Sequence, residues 1–175
     1  MDLLTKDQWD FSSQCLEELV NGVTDQIVKA LLDLRGGRMG AQVDRLEHSL
    51  QTATRALRSG ADEEMVVCAL LHDIGDNLAP YNHGQVAAAI LRPYVSPENA
   101  WMIENHEIFQ GYYFRDFMGL DRNERDKFKG HPAFEQTIIF CDDWDQLSFD
   151  PNYDTMPLSY FRPILESIFS REPRL

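Results

Sequence analysis

Met65-Val-Val-Cys-Ala-Leu-Leu-His-Asp-Ile-Gly75 decides how the rest of this 175-residue chain is read. The apolar run from Met65 to Leu71 leaves no polar face, so the segment is expected to form a helix buried on every side. Asp62 stands where an N-cap belongs, and Glu63 and Glu64 put negative charge on the first turn, where the helix dipole favours it. Gly75 reads as the stop signal. His72 and Asp73 therefore fall at the end of a core helix, where an unpaired carboxylate would be costly or would shift its pKa until neutral. A bound cation resolves this directly, with the imidazole as a neighbouring ligand and the carboxylate able to bridge two ions. Taken alone, the dipeptide is read more simply as a helix-terminal His-Asp pair hydrogen-bonded to backbone, and the rest of the chain has to decide.

Composition narrows the class. With 43% apolar residues the chain is expected to be one domain, 1–175, with a single sizeable core. A net charge of −13 argues against nucleic acid or an anionic membrane surface as partner, since both require a basic footprint. Cys15, Cys68 and Cys141 are odd in number, widely spaced and mostly set in apolar runs, so they read as reduced core residues of a cytoplasmic protein. No basic leader with a long apolar stretch opens the chain, and no run approaches the ~18 apolar residues of a membrane span.

The remaining elements are all helical. Thr5-Lys-Asp-Gln8 has the form of a capping box opening a helix through Trp9, Phe11, Cys15 and Leu19. A second helix over 24–34 carries Ile27, Val28, Leu31 and Leu32 and ends at Gly36-Gly37, so 1–34 form an N-terminal pair. Residues 35–40, with Arg35 and Arg38 among glycines, are a possible lid loop or a plain connection. The core, 41–169, begins with a helix over 41–58 whose seam is Val43, Leu46, Leu50, Ala53 and Leu57; His48 lies opposite that seam beside the small residues Thr52 and Ala56. Asn82 can cap a helix starting at His83, and Ser96-Pro97 opens the helix that carries His106. His131-Pro132 is read as the start of the last long helix, with Asp145 on its apolar stripe of Phe134, Ile138 and Cys141, while Asp142 and Asp143 read as solvated or capping. A closing helix is expected over 159–169, and no strand pattern is present, so the class is all-α.

His48, His72, Asp73, His83, His106 and Asp145 are the residues such a core cannot bury without a partner. Four imidazoles and two carboxylates suit two ions bridged by Asp73, one held by His48, His72, Asp73 and Asp145, and a more open one by Asp73, His83 and His106. With no thiolate in the set, iron, manganese or cobalt fits better than structural zinc.

The order His48, His72-Asp73, Asp145 resembles the HD-domain superfamily of all-helical, metal-dependent enzymes, most often phosphohydrolases. His83 and His106, with Glu47-His-Ser-Leu-Gln-Thr-Ala53, Leu70-Leu-His-Asp-Ile-Gly75 and Trp144-Asp-Gln146, make the chain similar to the mixed-valence di-iron oxygenase branch that contains myo-inositol oxygenase and the organophosphonate oxygenases. Length and the stretch Asn105-His-Glu-Ile-Phe-Gln-Gly-Tyr-Tyr-Phe114 resemble the phosphonate enzymes more. This likeness implies an Fe(II)/Fe(III) pair, O2 as co-substrate, Asp73 as the central catalytic ligand, and C–P cleavage of a small organophosphonate. The alternative it leaves open is a phosphohydrolase acting on a nucleotide or phosphate monoester.

Two departures bear on substrate. Where the aminohydroxyethylphosphonate oxygenases carry a Tyr-x-x-Glu lid, the matching positions are Arg38 and Ala41, and Ala41 cannot accept the N–H donors of a primary ammonium. Asp76 stands where that subgroup usually has a basic or histidine side chain. A sister group acts on (R)-1-hydroxy-2-(trimethylammonio)ethylphosphonate and releases glycine betaine, and Tyr81, Tyr112, Tyr113, Phe114 and Trp144 supply aromatic faces for such a cation. The substrate-binding candidates are thus Arg35, Arg38, Lys127 and Lys129 for the anion, each of which reads equally as a surface charge, together with Asp76, Gln110 and Tyr112.

Overall fold

A computed structural model of the protein describes residues 4–37 and 42–174. Within them the chain forms helices α1 (Lys6–Asn21), α2 (Val23–Asp33), α3 (Arg45–Arg58), α4 (Glu63–Leu71), α5 (His83–Leu91), α6 (Pro97–Gln110), α7 (Phe134–Ile139) and α8 (Leu158–Phe169), and no strand. None of these helices is long and apolar enough to cross a membrane.

α4 sits at the centre. Asp62 caps it by accepting the Met65 N–H at 2.8 Å, and Val66 through Leu71 are all buried, packed against α3, α6 and α8. Truncating any of its leucines to alanine would cost about 2–5 kcal/mol, because such a site cannot collapse. The helix ends at Leu71, with His72 as C-cap, and the chain turns sharply through Asp73, Ile74 and Gly75.

Gly75 serves a purpose other than the expected stop. A Cβ there would lie 2.8 Å from both the His83 carbonyl oxygen and the Val86 Cβ. Gly84 has the same role one layer on, where a Cβ would stand 2.9 Å from the Ile103 carbonyl and 3.1 Å from the His106 ring. Two missing side chains therefore let α5 lie against the turn after α4 on one side and against α6 on the other.

Several boundaries differ from the sequence expectation. α3 starts at Arg45 rather than 41, because Asp44 caps it: one carboxylate oxygen accepts the Glu47 N–H and the other accepts the Gly36 N–H, both at 2.8 Å. The helix expected from His131-Pro132 begins at Phe134 and passes into a π turn over Phe140–Asp145. His131 stacks instead on Trp101 with ring centroids 3.8 Å apart. The capping box of α1 forms as read, but none of its residues is buried; Trp9, Phe11 and Leu19 face outward, and Cys15 is only half-buried, unlike Cys68 and Cys141. Asn82 precedes α5 but its side chain makes no capping bond. Asp142, expected to be solvated, is half-buried and accepts the Tyr113 hydroxyl. Arg38 and Ala41, the candidate lid positions, lie outside the described residues.

Candidate metal centre

The interior of the bundle gathers four imidazoles and two carboxylates from α3, the turn after α4, the start of α5, the last turns of α6 and the π turn. Asp73 is in the middle. Its Oδ2 lies 3.5 Å from His48 Nε2 and 3.3 Å from His72 Nε2; its Oδ1 lies 3.1 Å from His83 Nε2 and 3.3 Å from His106 Nε2. Asp145 Oδ1 completes the first group at 3.1 Å from His48 Nε2 and 3.7 Å from His72 Nε2. The two Nε2 atoms of each histidine pair are 3.1 Å (His48, His72) and 3.3 Å (His83, His106) apart.

These spacings suit ions. Metal–ligand bonds of about 2.1 Å place neighbouring ligand atoms roughly 3.0 Å apart on an octahedron and 3.4 Å on a tetrahedron. The ring orientations agree. His48 Nδ1 donates to the Ser148 carbonyl at 3.0 Å, His72 Nδ1 to the Ala69 carbonyl at 2.9 Å, and His106 Nδ1 to the Ile103 carbonyl at 2.7 Å. His83 Nδ1 lies 3.0 Å from Asp76 Oδ1. With three Nδ1 protons so engaged and the fourth ring nitrogen beside the Asp76 carboxylate, the Nε2 atoms face the carboxylates and one another, an arrangement that repels itself unless cations sit between.

The electrostatics of the protein alone tell the same story. Burial disfavours charge on each group, and the opposing charges override it: Asp145 and Asp73 push His48 up to about 9, and Asp73 and Asp76 push His83 up to about 11. Asp73, likewise opposed by burial, is held well below the usual carboxylate range by His72, His106 and His83. Protons thus neutralise a cluster whose donor atoms are all of metal-ligand type, and metal ions compete for the same positions.

A cavity of about 420 Å³ opens on this cluster, lined by His48, Asp73, His83, His106 and Asp145. Of the substrate candidates it takes Asp76 and Gln110. Arg35 stays exposed after α2 and is not in the lining. Lys127 and Lys129 are on the surface, paired at 2.7 Å with Glu124 and Asp126 respectively. Tyr112 is clamped between the guanidinium groups of Arg122 and Arg125, 3.9 and 3.8 Å from its ring. Tyr81 is 97% exposed, and Trp144 lines a different depression; of the aromatics named from sequence, Phe114 reaches this cavity.

Residues not singled out from sequence complete the lining. Phe149 stacks on the His48 ring at 4.4 Å, Glu107 accepts the Gly84 N–H at 2.9 Å, and Arg115, ion-paired with Glu124, is the one lysine or arginine in the wall among the described residues. Arg115 follows directly on the Gly111-Tyr-Tyr-Phe114 stretch, and a Cβ on Gly111 would collide with its folded-back side chain.

Comparison with known proteins bears on the same residues. The HD domain model matches residues 45–137, a span that includes His48, His72, Asp73, His83 and His106. Over 62 residues, 34% of this chain, the sequence is 40% identical to a [1-hydroxy-2-(trimethylamino)ethyl]phosphonate dioxygenase (glycine-betaine-forming) of Leisingera caerulea. The aligned stretch spans 32% of that relative's length. With a family match over more than half of its length, placed on the histidines and the aspartate that the fold brings together, this chain belongs to the HD domain family.

Proposed function

We propose that the protein is an O2-dependent di-iron oxygenase that breaks the C–P bond of a 1-hydroxyalkylphosphonate, with (R)-1-hydroxy-2-(trimethylammonio)ethylphosphonate as substrate and glycine betaine and phosphate as products. The observation that carries this reading is Asp73, whose two oxygens each face a different pair of imidazole Nε2 atoms at 3.1–3.5 Å beneath an open cavity. Such a donor set suits two ions, and the likeness to a phosphonate dioxygenase over a third of the chain supports oxygenation rather than hydrolysis. Hydrolysis is also a poor route to this bond, since the leaving group would be a carbanion.

Two iron ions, when bound, would supply Lewis acidity toward the substrate hydroxyl and phosphonate oxygens and would relay to O2 the four electrons that the substrate gives up as its C–H and C–P bonds break. The protein supplies position. Asp73 sets the spacing of the two ion positions, and the Nδ1 contacts of the four rings keep each Nε2 aimed inward. Arg115, whose Nη1 pairs with Glu124, lines the cavity as the guanidinium that a phosphonate oxygen would meet in competition with that carboxylate. Phe114, Phe149 and the Glu107 carboxylate provide aromatic faces and negative charge for a quaternary ammonium, which has no N–H to donate. Ile108, Met118 and Leu120 line the same cavity and give its mouth an apolar rim.

Iron-loaded protein given this substrate should release phosphate in step with O2 consumed, and anaerobic conditions should abolish turnover. It should also prefer the trimethylated over the primary-amine substrate in kcat/KM. Comparable phosphate release from phosphate monoesters without O2 would assign the site to hydrolysis instead.

A further inference from the structure

The four histidines are not held alike. His72 and His106 each lean on a carbonyl three residues back in their own segment, Ala69 and Ile103, and His48 leans on the Ser148 carbonyl of the strap that covers α3. His83 is the first residue of α5, so no preceding helical turn exists to offer it a carbonyl. It is also the most exposed of the four, with 16% of its side chain accessible against 1–3% for the others.

A carboxylate takes the place of the missing carbonyl. Asp76 Oδ1 lies 3.0 Å from His83 Nδ1, while Asp76 Oδ2 is 2.7 Å from Arg45 Nε. Arg45, the first residue of α3, is itself tied down. Its Nη1 reaches Asn77 Oδ1 at 3.4 Å, Asn77 Nδ2 donates to the Asp33 carbonyl at the end of α2 at 2.8 Å, and a Cβ on Gly37 would stand 3.2 Å from the Arg45 Cδ. Glu107 Oε1, 3.4 Å from His83 Nδ1, is committed to the Gly84 N–H.

We propose that Asp76, clamped by Arg45, is the positioning residue that fixes His83 and thereby sets how tightly the second, open ion position formed by Asp73, His83 and His106 holds its metal. This assigns Asp76 to the protein's own histidine rather than to a substrate ammonium, since both its oxygens are taken. The proposal rests on the two-position metal centre and is independent of the phosphonate reaction. Its logic is that of outer-sphere carboxylates on metal-bound imidazoles, which orient the ring and raise its donor strength. It also links that ion to the turn at 34–37, because the arginine that holds Asp76 lies against Gly37.

The test is a titration of the metal-free full-length chain with Co²⁺ alone, followed by calorimetry and visible absorption, with folding checked by circular dichroism. Wild-type protein should take two ions in separable steps. Asp76→Asn keeps an acceptor for His83 but turns its NH2 onto the Arg45 guanidinium, donor against donor. The weaker step should therefore lose about 10- to 100-fold in affinity while the tighter one stays within about twofold. Arg45→Gln should shift the same step in the same direction, and Arg45→Lys should restore part of it. An unchanged second step in both Asp76→Asn and Arg45→Gln, or equal loss of both steps in a folded variant, overturns the proposal. Binding of a single Co²⁺ by wild-type protein removes the two-position centre on which it stands.

Discussion

Asp73 divides the centre into halves built on different physical terms. On the Oδ2 side, His48, His72 and Asp145 are buried and the two rings are set by backbone carbonyls. On the Oδ1 side, His106 is set by a carbonyl but His83, at a helix start, is set by a charged side chain and is the most exposed of the four rings. A backbone carbonyl is present whatever the side chain, whether in a helix as for His72 or in the strap as for His48, whereas a carboxylate–arginine pair can be replaced residue by residue. The enclosed half is therefore the more rigid, and the open half is the one whose properties are adjustable.

The sharpest way to break that comparison is Asp73→Ala. Both halves lose a ligand, so metal analysis of the anaerobically loaded variant should fall from two irons per chain to none, with turnover below detection. A variant that keeps one tightly held ion would mean that the enclosed half stands without the bridge.

A second variant should separate the halves. Gly84→Ala places a methyl group 2.9 Å from the Ile103 carbonyl and 3.1 Å from the His106 ring, so α5 and α6 must part slightly. Overpacking of this kind costs about 1–3 kcal/mol, which should lower Tm by several degrees. The open half should lose its ion while the enclosed half keeps one. Loss of both together would show that the halves are not separable.

The smallest effect is the pH dependence of stability. In chelator-stripped protein, His48 and His83 are raised to about 9 and about 11 from an unfolded value near 6.5. Their stabilising contribution is therefore complete below about pH 6.5 and is lost as pH rises through the folded values. Asp73, held low, contributes above its unfolded value near 3.9 and loses that contribution as pH falls toward its lower folded value. Stripped protein should melt at a lower temperature at pH 9.5 than at pH 6.5. Metal-loaded protein should show the opposite trend, because protons displace the ions as pH falls. Thermal melts with and without metal read both directions.

Much of this centre is legible in the sequence because burial contradicts chemistry there. His72 and Asp73 end an all-apolar run, and Asp145 falls on an apolar stripe; both are buried. His48 is not legible in the same way. Its face of α3 carries the polar Gln51 and Thr52; both are buried, as is Thr54, and the irregular chain after the π turn lies over Gln51 and Thr54. Gln51 donates to the Asp150 carbonyl at 2.7 Å, and the Met156 N–H donates to Thr54 at 3.1 Å. Backbone polar groups satisfied by side chains leave no hydrophobic periodicity to detect. Arg115 and Phe149 escape notice for a related reason, since short 3-10 turns and an irregular strap have no repeat against which a residue stands out. Gly75 and Gly84 show a different ambiguity: from sequence, a glycine that ends a helix and one that admits a neighbouring helix look the same, and only packing distinguishes them.

The π turn at Phe140–Asp145 makes the sixth ligand a matter of chain length as well as of residue type. In it the Gln146 N–H reaches five residues back, to the Cys141 carbonyl at 2.9 Å. A π turn holds one residue more than the α-helical turn it replaces, and one residue is worth about 100° of rotation. Deleting a single residue here would restore a regular, well-bonded helix and swing Asp145 off the centre. A shortened chain could thus keep every ligand letter in its sequence and a sound fold, yet present only five of the six groups to the metals.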